Sequence, residues 1–170
     1  MKKLAFILAI ISLFLFGCIT TSKIMIPKEQ IKTEICAFET QIKTNEIFLA
    51  CHEFLIDEFS SYNGVLKYQD KETGTLLLNW KTKIQTINAP FQKNEIWLNC
   101  SSKIRIEENI ITFEHRVIDI VNEKYVSRQY VGYVHSDTYS QNELDEKDLI
   151  AFKTLSLKLC DDLEKFLNRY

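Results

Sequence analysis

The side chains best suited to chemistry are five cysteines and three histidines, and their spacing does not form a metal or catalytic site. His52 follows Cys51, and neighbouring residues on a helix point about 100° apart, so these two do not converge on one ion. His115 is expected among apolar side chains of a strand, and His135 is expected in a loop. The chain contains no HExxH pair, no GxSxG elbow and no glycine-rich phosphate loop. We therefore predict no metal, no cofactor and no enzymatic activity.

Cys18 is the one cysteine whose local sequence indicates a reaction. Lys2 and Lys3 precede an apolar run over residues 4–16, which is shorter than the roughly 20 residues needed to span a bilayer. Gly17 is a small residue of the kind found at cleavage sites. The segment resembles the signal peptide and lipobox of bacterial lipoproteins, in which the cysteine takes a lipid and cleavage occurs before it. An ordinary secretory signal with an incidental Cys18, or an uncleaved anchor, are the alternatives.

The lipobox resemblance implies a protein held on the exported side of the cell membrane or outer membrane. We predict a signal peptide over residues 1–17, the lipidated cysteine and a tether over residues 18–33, and one domain over residues 34–170. The 153 residues after the leader contain 19 basic and 23 acidic side chains, a net charge of −4 with histidine neutral. A mildly acidic exported chain is a poor candidate for nucleic-acid binding, so we exclude that partner.

Four cysteines remain for the domain: Cys36, Cys51, Cys100 and Cys160. An even number in an exported chain allows two disulfides with three possible connectivities. No two of them form a CxxC pair, and Cys51 and Cys100 lie on predicted apolar faces. Buried free cysteine behaves as a small apolar residue, and we expect that role here rather than disulfides.

Two segments have the apolar spacing of amphipathic helices. The first is predicted to begin at Thr44 as N-cap and to place Ile47, Cys51, Leu55 and Phe59 on one face. The second covers roughly residues 148–168, with a stripe of Phe152, Leu155, Leu159, Leu163 and Phe166.

The remaining elements are strands with alternating apolar and polar residues. They are predicted over residues 31–42, 65–69, 75–84, 95–106, 110–121 and, as a further candidate, 125–134. Residues 86–93 and 135–146 are expected to be loops. Antiparallel strands bracketed by helices predict an α+β fold, with a curved antiparallel sheet of about five to six strands and both helices on one face.

The polar face of this sheet is the predicted interaction surface. Side chains from three neighbouring strands would make it basic and partly aromatic, and the candidates are Lys81, Lys83, Trp97, Lys103, Arg105 and Arg116. Such a face could bind an envelope protein, a glycan or an anionic headgroup. The alternative is an ordinary solvated sheet face.

Two motifs resemble a family of bacterial exported domains of unknown function with a TATA-binding-protein-like (TBP-like) fold. One is Asn45-Glu46-Ile47-Phe48 at the start of the first helix, and the other is the acidic turn that ends at Gly74 in the sequence Asp70-Lys71-Glu72-Thr73-Gly74. The chain lacks further glycines over residues 76–80 that the family pattern leads us to expect. The resemblance implies a curved sheet with helices on one side and implies no activity, because fold alone does not determine function.

Three functions from different classes follow. We expect a membrane-tethered, non-enzymatic binding module of the cell envelope. A carrier would instead need an apolar pocket of several hundred Å³ between sheet and helices. An envelope enzyme would require His115 to converge with Asp119 and a serine or cysteine.

Overall fold

An open antiparallel sheet of six strands with two helices confirms the predicted α+β fold. The computed structural model describes residues 23–42, 44–60, 64–128 and 131–169. The elements in chain order are β1 (Met25–Pro27), a 3-10 turn (Lys28–Gln30), β2 (Glu34–Glu39), α1 (Thr44–Ser60), β3 (Val65–Asp70), β4 (Thr75–Ala89), β5 (Gln92–Glu107), β6 (Ile110–Arg128), β7 (Gly132–Gln141), β8 (Glu143–Asp145) and α2 (Glu146–Leu167).

The strand order in the large sheet is β2-β6-β5-β4-β3, with β7 also paired to β6. Because β6 is 19 residues long, it pairs with β2 through its first part and with β7 through its second part. We call residues 81–99 and 119–141 the arm and the remainder of the sheet the near half. The small strands β1 and β8 form a separate two-stranded sheet.

The core lies between the helices and the inner face of the sheet. From α1 come Ile47, Cys51, Leu55 and Phe59, as the helical spacing predicts, and from α2 come Phe152, Leu159 and Leu163; all are buried. The sheet contributes alternate residues such as Leu76, Leu78, Leu98, Ile104 and Phe113. The apolar stripes therefore lie where the sequence places them, and the other face of the near half is left open. The side chain of Thr44, the predicted N-cap, lies outside the described part.

Cys36 and Cys160 form a disulfide, which corrects the expectation of four free thiols. Cys36 is on β2, Cys160 is on α2, and their Cα atoms are 6.4 Å apart although 124 positions separate them in sequence. Local sequence gave no sign of this pair, because the two residues meet only when α2 packs across β2. Cys51 and Cys100 are free and buried, as predicted.

Two predicted loops are strands. The segment over residues 86–93 belongs to a long hairpin, in which β4 runs to Ala89 and β5 starts at Gln92, so only Pro90 and Phe91 turn the chain. The segment over residues 135–146 contains most of β7, all of β8 and the start of α2. His135 accordingly lies on a strand, not in a loop. Most side chains of β7 are exposed, which explains why its sequence lacks the alternation of a half-buried strand.

The predicted tether is partly built into the fold. Met25–Pro27 pairs with β8, and the backbone N–H of Lys28 donates to the carbonyl of Asn142 at 2.7 Å. Residues 1–22, including the predicted signal peptide and Cys18, lie outside the described residues. Any free tether therefore ends before Met25.

The acidic turn between β3 and β4 has the predicted geometry. The Asp70 carboxylate accepts hydrogen bonds from the backbone N–H groups of Glu72 and Thr73 at 2.9 and 3.3 Å. Gly74 has φ 60°, and a Cβ there would collide with the carbonyl oxygen of Ile106. Glycine is therefore required at this position.

Candidate functional site

The open face of the sheet, on the side opposite the helices, carries two adjoining hollows, one on its near half and one where the near half meets the arm. The larger has a volume of about 480 Å³ and is lined by Thr33, Leu77, Ser101, Lys103, Glu114, Arg116 and Ile118. The second, about 340 Å³, is lined by Val65, Lys67, Asn79, Trp80, Lys81, Asn99, Cys100 and Ile118. Because Ile118 borders both, they form one continuous shallow surface.

An irregularity in the β5–β6 ladder places Ile118 on this surface. Asn99 pairs with Asp119 and Cys100 with Val117, so Ile118 has no cross-strand partner. A bulge of this kind bends the strand and redirects side chains. Ile118 is 45% exposed as a result. Strict alternation along β6 did not predict an apolar residue here.

The cations of the near half are mostly left free of carboxylates. Arg105 lies 3.5 Å from Glu114, measured from Nη2 to Oε1. Lys103 pairs with Glu114 in register, yet within the described ranges neither Lys103 nor Arg116 has a carboxylate oxygen within 4 Å. Two positive charges without a contacting carboxylate therefore line a hollow that also contains Glu114 and the apolar residues Leu77 and Ile118.

Three lysines of the arm, Lys81, Lys83 and Lys93, have acidic partners. Lys81 Nζ is 2.5 Å from Glu123 Oε1, and Lys83 Nζ is 3.2 Å from Glu95 Oε1. Lys93 reaches the same Glu95 oxygen at 2.9 Å. These contacts join β4, β5 and β6 across the open face, so they act as internal cross-links.

Trp97 is covered by two of these lysines. The Nζ atoms of Lys81 and Lys83 lie 4.6 and 5.6 Å from its ring centroid, within cation–π range. Beside it, the Tyr125 hydroxyl donates to Glu123 Oε2 at 2.7 Å, and Lys93 lies 4.4 Å from the Tyr125 ring centroid. The aromatic residue predicted for the binding face thus stabilises the arm.

The acidic groups of the arm are held in their charged form. Burial raises the pKa of Glu95, but hydrogen bonds from Lys93 and Lys83 outweigh it and leave the pKa below its ordinary value. Burial likewise raises the pKa of Glu123, and hydrogen bonds from Lys81 and Tyr125 lower it further than burial raises it. The hydrogen bond to Glu123 also raises the pKa of Tyr125. Both carboxylates are therefore already committed to partners within the chain.

The six predicted face residues accordingly divide into two groups. The structure places Lys103, Arg105 and Arg116 together on the near half, and it places Lys81, Lys83 and Trp97 together in the arm. Leu77, Ser101 and Ile118 also line the near-half hollow. The alternation of β5 does place Ser101 on the predicted polar face, whereas Leu77 and Ile118 were not predicted there.

His115 lies on the inner face in a buried hydrogen-bonded chain. The indole N–H of Trp80 donates to Ser102 Oγ at 2.7 Å, and Ser102 Oγ is 2.7 Å from His115 Nδ1. Burial lowers the pKa of His115 to about 3, so the ring is neutral at pH 7. The other ring nitrogen, Nε2, is buried and has no hydrogen-bond partner among the described residues.

A serine hydrogen-bonded to a histidine could belong to a Ser-His-Asp catalytic triad, but Asp119, the predicted third residue, makes its contacts elsewhere. Asp119 accepts from Ser140 Oγ at 3.1 Å and lies 3.7 Å from Lys28 Nζ. His115 is 0% exposed and Ser102 is 1% exposed. The arrangement therefore fits a buried core histidine better than a catalytic one. Ser102 was missed in the sequence, although its inward register between Cys100 and Ile104 identifies it.

The remaining titratable groups do not assemble a metal or nucleophilic centre. Within the described residues, no group of three His, Cys, Asp or Glu side chains could hold a metal ion. Burial raises the pKa of Cys51 to about 12 and raises that of Cys100 as well. Both thiols are therefore protonated and unreactive at neutral pH.

An apolar cleft of about 200 Å³ opens where α1 meets β3 and β4. It is lined by Leu55, Ile56, Phe59, Gly64, Leu66 and Leu78. This volume is below the range of about 300 to 1,000 Å³ that is usual for ligand pockets.

No helix of the described residues is long and apolar enough to cross a membrane.

Solved structures that share this fold include the following two. A DUF4468 family protein from Bacteroides ovatus ATCC 8483 has a TM-score of 0.51 and 9% identity, over 80% of this chain and 83% of that one. A TBP-like protein from Parabacteroides distasonis ATCC 8503 has a TM-score of 0.51 and 17% identity, over 80% of this chain and 92% of that one. No family model and no curated protein matches the chain. The similarity is one of fold and supports the TBP-like, unknown-function resemblance drawn from the sequence.

Proposed function

We propose that the protein is a lipid-anchored binding module of the cell envelope, whose near half binds an acidic segment of another envelope protein. The observation that carries the binding role is the hollow of about 480 Å³ with Lys103 and Arg116 on its lining. Arginine beside exposed apolar residues is a typical composition of protein interfaces. Ile35 and Val65, 61% and 53% exposed, extend the apolar part of the same face.

The anchoring part of the proposal rests on the sequence before and at Cys18. Replacing Cys18 with Ser in cells should let a high-salt wash release the protein from the membrane fraction, because the thiol is the group that would be lipidated and a lipid anchor resists salt. Metabolic labelling with a fatty-acid analogue should mark the unaltered protein and not the Cys18→Ser variant. A variant that stays in the membranes after the wash, or that still takes the label, would contradict the proposed anchor.

The binding part is tested by site-specific crosslinking from the hollow in intact cells. A photo-crosslinking residue at Ser101 should yield a discrete adduct, and Lys103→Glu combined with Arg116→Glu should abolish it. The control is Lys71→Glu combined with Lys158→Glu, which changes the net charge equally at exposed positions on the β3–β4 turn and α2. An adduct that survives charge reversal in the hollow would contradict the proposal, and one that resists protease but not glycosidase would replace the protein partner with a glycan.

The carrier function has weaker support. The apolar cleft at α1 and β3 is small, and the stripes of the two helices are buried against the sheet. The enzyme function would need a solvent-accessible serine–histidine pair, and Ser102 and His115 are buried.

A further inference from the structure

The end of the arm combines backbone strain with an exposed aromatic side chain. Ala89 pairs with Gln92, so Pro90 and Phe91 are the two turn residues of the β4–β5 hairpin. Phe91 has φ 63°, in the left-handed region that glycine occupies freely and other residues rarely adopt. Proline followed by a residue with positive φ is the pattern of a type II turn, where glycine is the usual second residue.

The side chain of Phe91 gains little contact inside the protein in return for this strain. It is 80% exposed, the highest value among the large apolar residues of the described chain. A strained backbone and a solvated phenyl ring are both unfavourable, and glycine would avoid both. Strain of this kind is concentrated at functional positions, so Phe91 indicates a contact made outside the molecule.

The neighbouring turn adds further apolar and basic groups. The backbone N–H of Ser127 donates to the carbonyl of Phe91 at 2.8 Å, which holds the end of β6 beside the β4–β5 turn. Val131 is 69% exposed and Tyr133 is 48% exposed. We call Phe91, Val131 and Tyr133 the tip.

The charged residues nearest the tip are basic. Residues 87–94 and 124–135 contain Lys93, Lys124 and Arg128 and no aspartate or glutamate, and the nearest acidic residue on β7 is Asp137, opposite Lys124. Lys93 is paired with Glu95, which lies further back along the arm, while within the described chain Lys124 and Arg128 have no carboxylate within 4 Å. The tip is thus apolar at its end and basic around its sides.

We propose that the tip inserts into the interfacial region of an anionic lipid bilayer. A protruding turn has no concavity for a small ligand, whereas a bilayer can close around an inserted phenyl ring. Aromatic residues are favoured at the depth of the headgroups, and lysine and arginine nearby attract anionic lipid. This contact is independent of the near-half hollow and does not require the proposed anchor at Cys18.

The test uses residues 18–170 with Cys18→Ser and the Cys36–Cys160 disulfide oxidised, because this chain contains all the described elements and carries no lipid. It should sediment with vesicles of phosphatidylcholine and phosphatidylglycerol, and much less with phosphatidylcholine alone. Phe91→Ser should weaken partitioning by about tenfold, as expected for losing one buried phenyl group. Arg128→Glu should also weaken it.

Phe91→Gly separates the role in binding from the role in folding. It removes the ring and relieves the strained φ, so partitioning should fall as in Phe91→Ser while the melting temperature stays the same or rises. Leu157→Ser is the matched control, because Leu157 is 60% exposed on α2. Its partitioning should equal that of the unaltered chain.

Three results would overturn the proposal. The first is that the unaltered chain fails to bind anionic vesicles. The second is that Phe91→Ser and Phe91→Gly bind as well as the unaltered chain, even if Arg128→Glu does not, since that is surface attraction without insertion. The third is that Leu157→Ser loses as much binding as the Phe91 variants.

Discussion

The near half and the arm present similar side chains on the same face of one sheet, but the two regions use them differently. In the near half, Lys103 and Arg116 line a hollow without a close carboxylate partner in the described chain. In the arm, Lys81 and Lys83 each contact a glutamate and together cover Trp97. The difference shows that the number of basic residues on a face does not measure its capacity to bind an anion.

The inner side of the sheet explains this difference. Behind the near half lie both helices, the Cys36–Cys160 disulfide and the buried Trp80–Ser102–His115 chain. Toward the end of the arm the inner side becomes exposed, as Ile87 at 39% and Tyr139 at 46% illustrate. The near half is held by the core behind it and can leave its outer cations free, whereas the part of the arm that extends beyond the core depends more on the ion pairs of its open face.

The near half should depend on the Cys36–Cys160 disulfide on its helix side. Removing this disulfide should therefore lower stability more than removing any ion pair of the arm. A cross-link between positions 124 apart restricts the unfolded chain strongly, so Cys36→Ala with Cys160→Ala should lower the free energy of unfolding by about 2 to 5 kcal/mol. Urea denaturation measures the change. A reductant should bring the unaltered protein to the level of the double variant and leave the variant unaffected; a loss below about 1 kcal/mol would contradict this dependence.

His115 predicts a second, pH-dependent effect on the core behind the near half. Its pKa is about 3 in the folded protein and near 6.5 when unfolded, so below pH 6.5 the unfolded chain binds a proton that the folded chain does not. Stability should therefore fall with decreasing pH, by about 2 kcal/mol between pH 6.5 and 5. Chemical denaturation at each pH measures this loss.

Two histidine variants make the pH prediction specific. His115→Asn keeps an acceptor for Ser102 and removes the titrating ring, so its stability should be lower at pH 7 but nearly constant from pH 6.5 to 5. His135→Asn, an exposed change on β7, should keep the full loss seen in the unaltered protein. If His115→Asn keeps that loss too, the slope arises from another group.

The sequence predicted the packed half of the molecule better than the arm. Apolar residues that repeat every 3.6 positions located α1 and α2, and apolar residues that repeat every two positions placed His115 on the inner face. Buried faces of helices and strands impose these spacings. The hairpin at Pro90–Phe91 was missed, because a register shift between Lys83 and Gln85 interrupts the alternation and proline suggested a loop. The pairing of Lys81 with Glu123 depends on the register of three strands, and that of Cys36 with Cys160 depends on helix packing. Neither is encoded within a local window.

Removing the charge of Glu123 should have the smallest effect on global stability. Because its effect on hydrogen exchange should be confined to the arm, it distinguishes the arm from the near half most directly. Glu123→Gln removes the charge that holds Lys81 and Tyr125, so amide hydrogen exchange should become about fivefold faster in residues 92–97 and 120–126. Global stability should change by less than about 1 kcal/mol, as is usual for a single ion pair near the surface. Hydrogen-exchange mass spectrometry resolves both regions in one experiment.

Glu114→Gln is the matched change in the near half, where Glu114 contacts Arg105. Exchange around it should remain slow, because α1 and α2 cover the other side of those strands.

The pKa of Glu123 is lowered in the folded arm. Its contribution to the stability of the arm is therefore complete above the ordinary carboxyl pKa and disappears as pH falls through the lowered value. Acid strong enough to protonate Glu123, below its lowered pKa, should therefore open the unaltered arm as Glu123→Gln does at pH 7, and mild acid should not. If either variant accelerates amide hydrogen exchange equally in the arm and in the near half, the ion pairs of the arm do not hold its strands together. Lys81 and Lys83 would then be as free to bind a partner as Lys103 and Arg116.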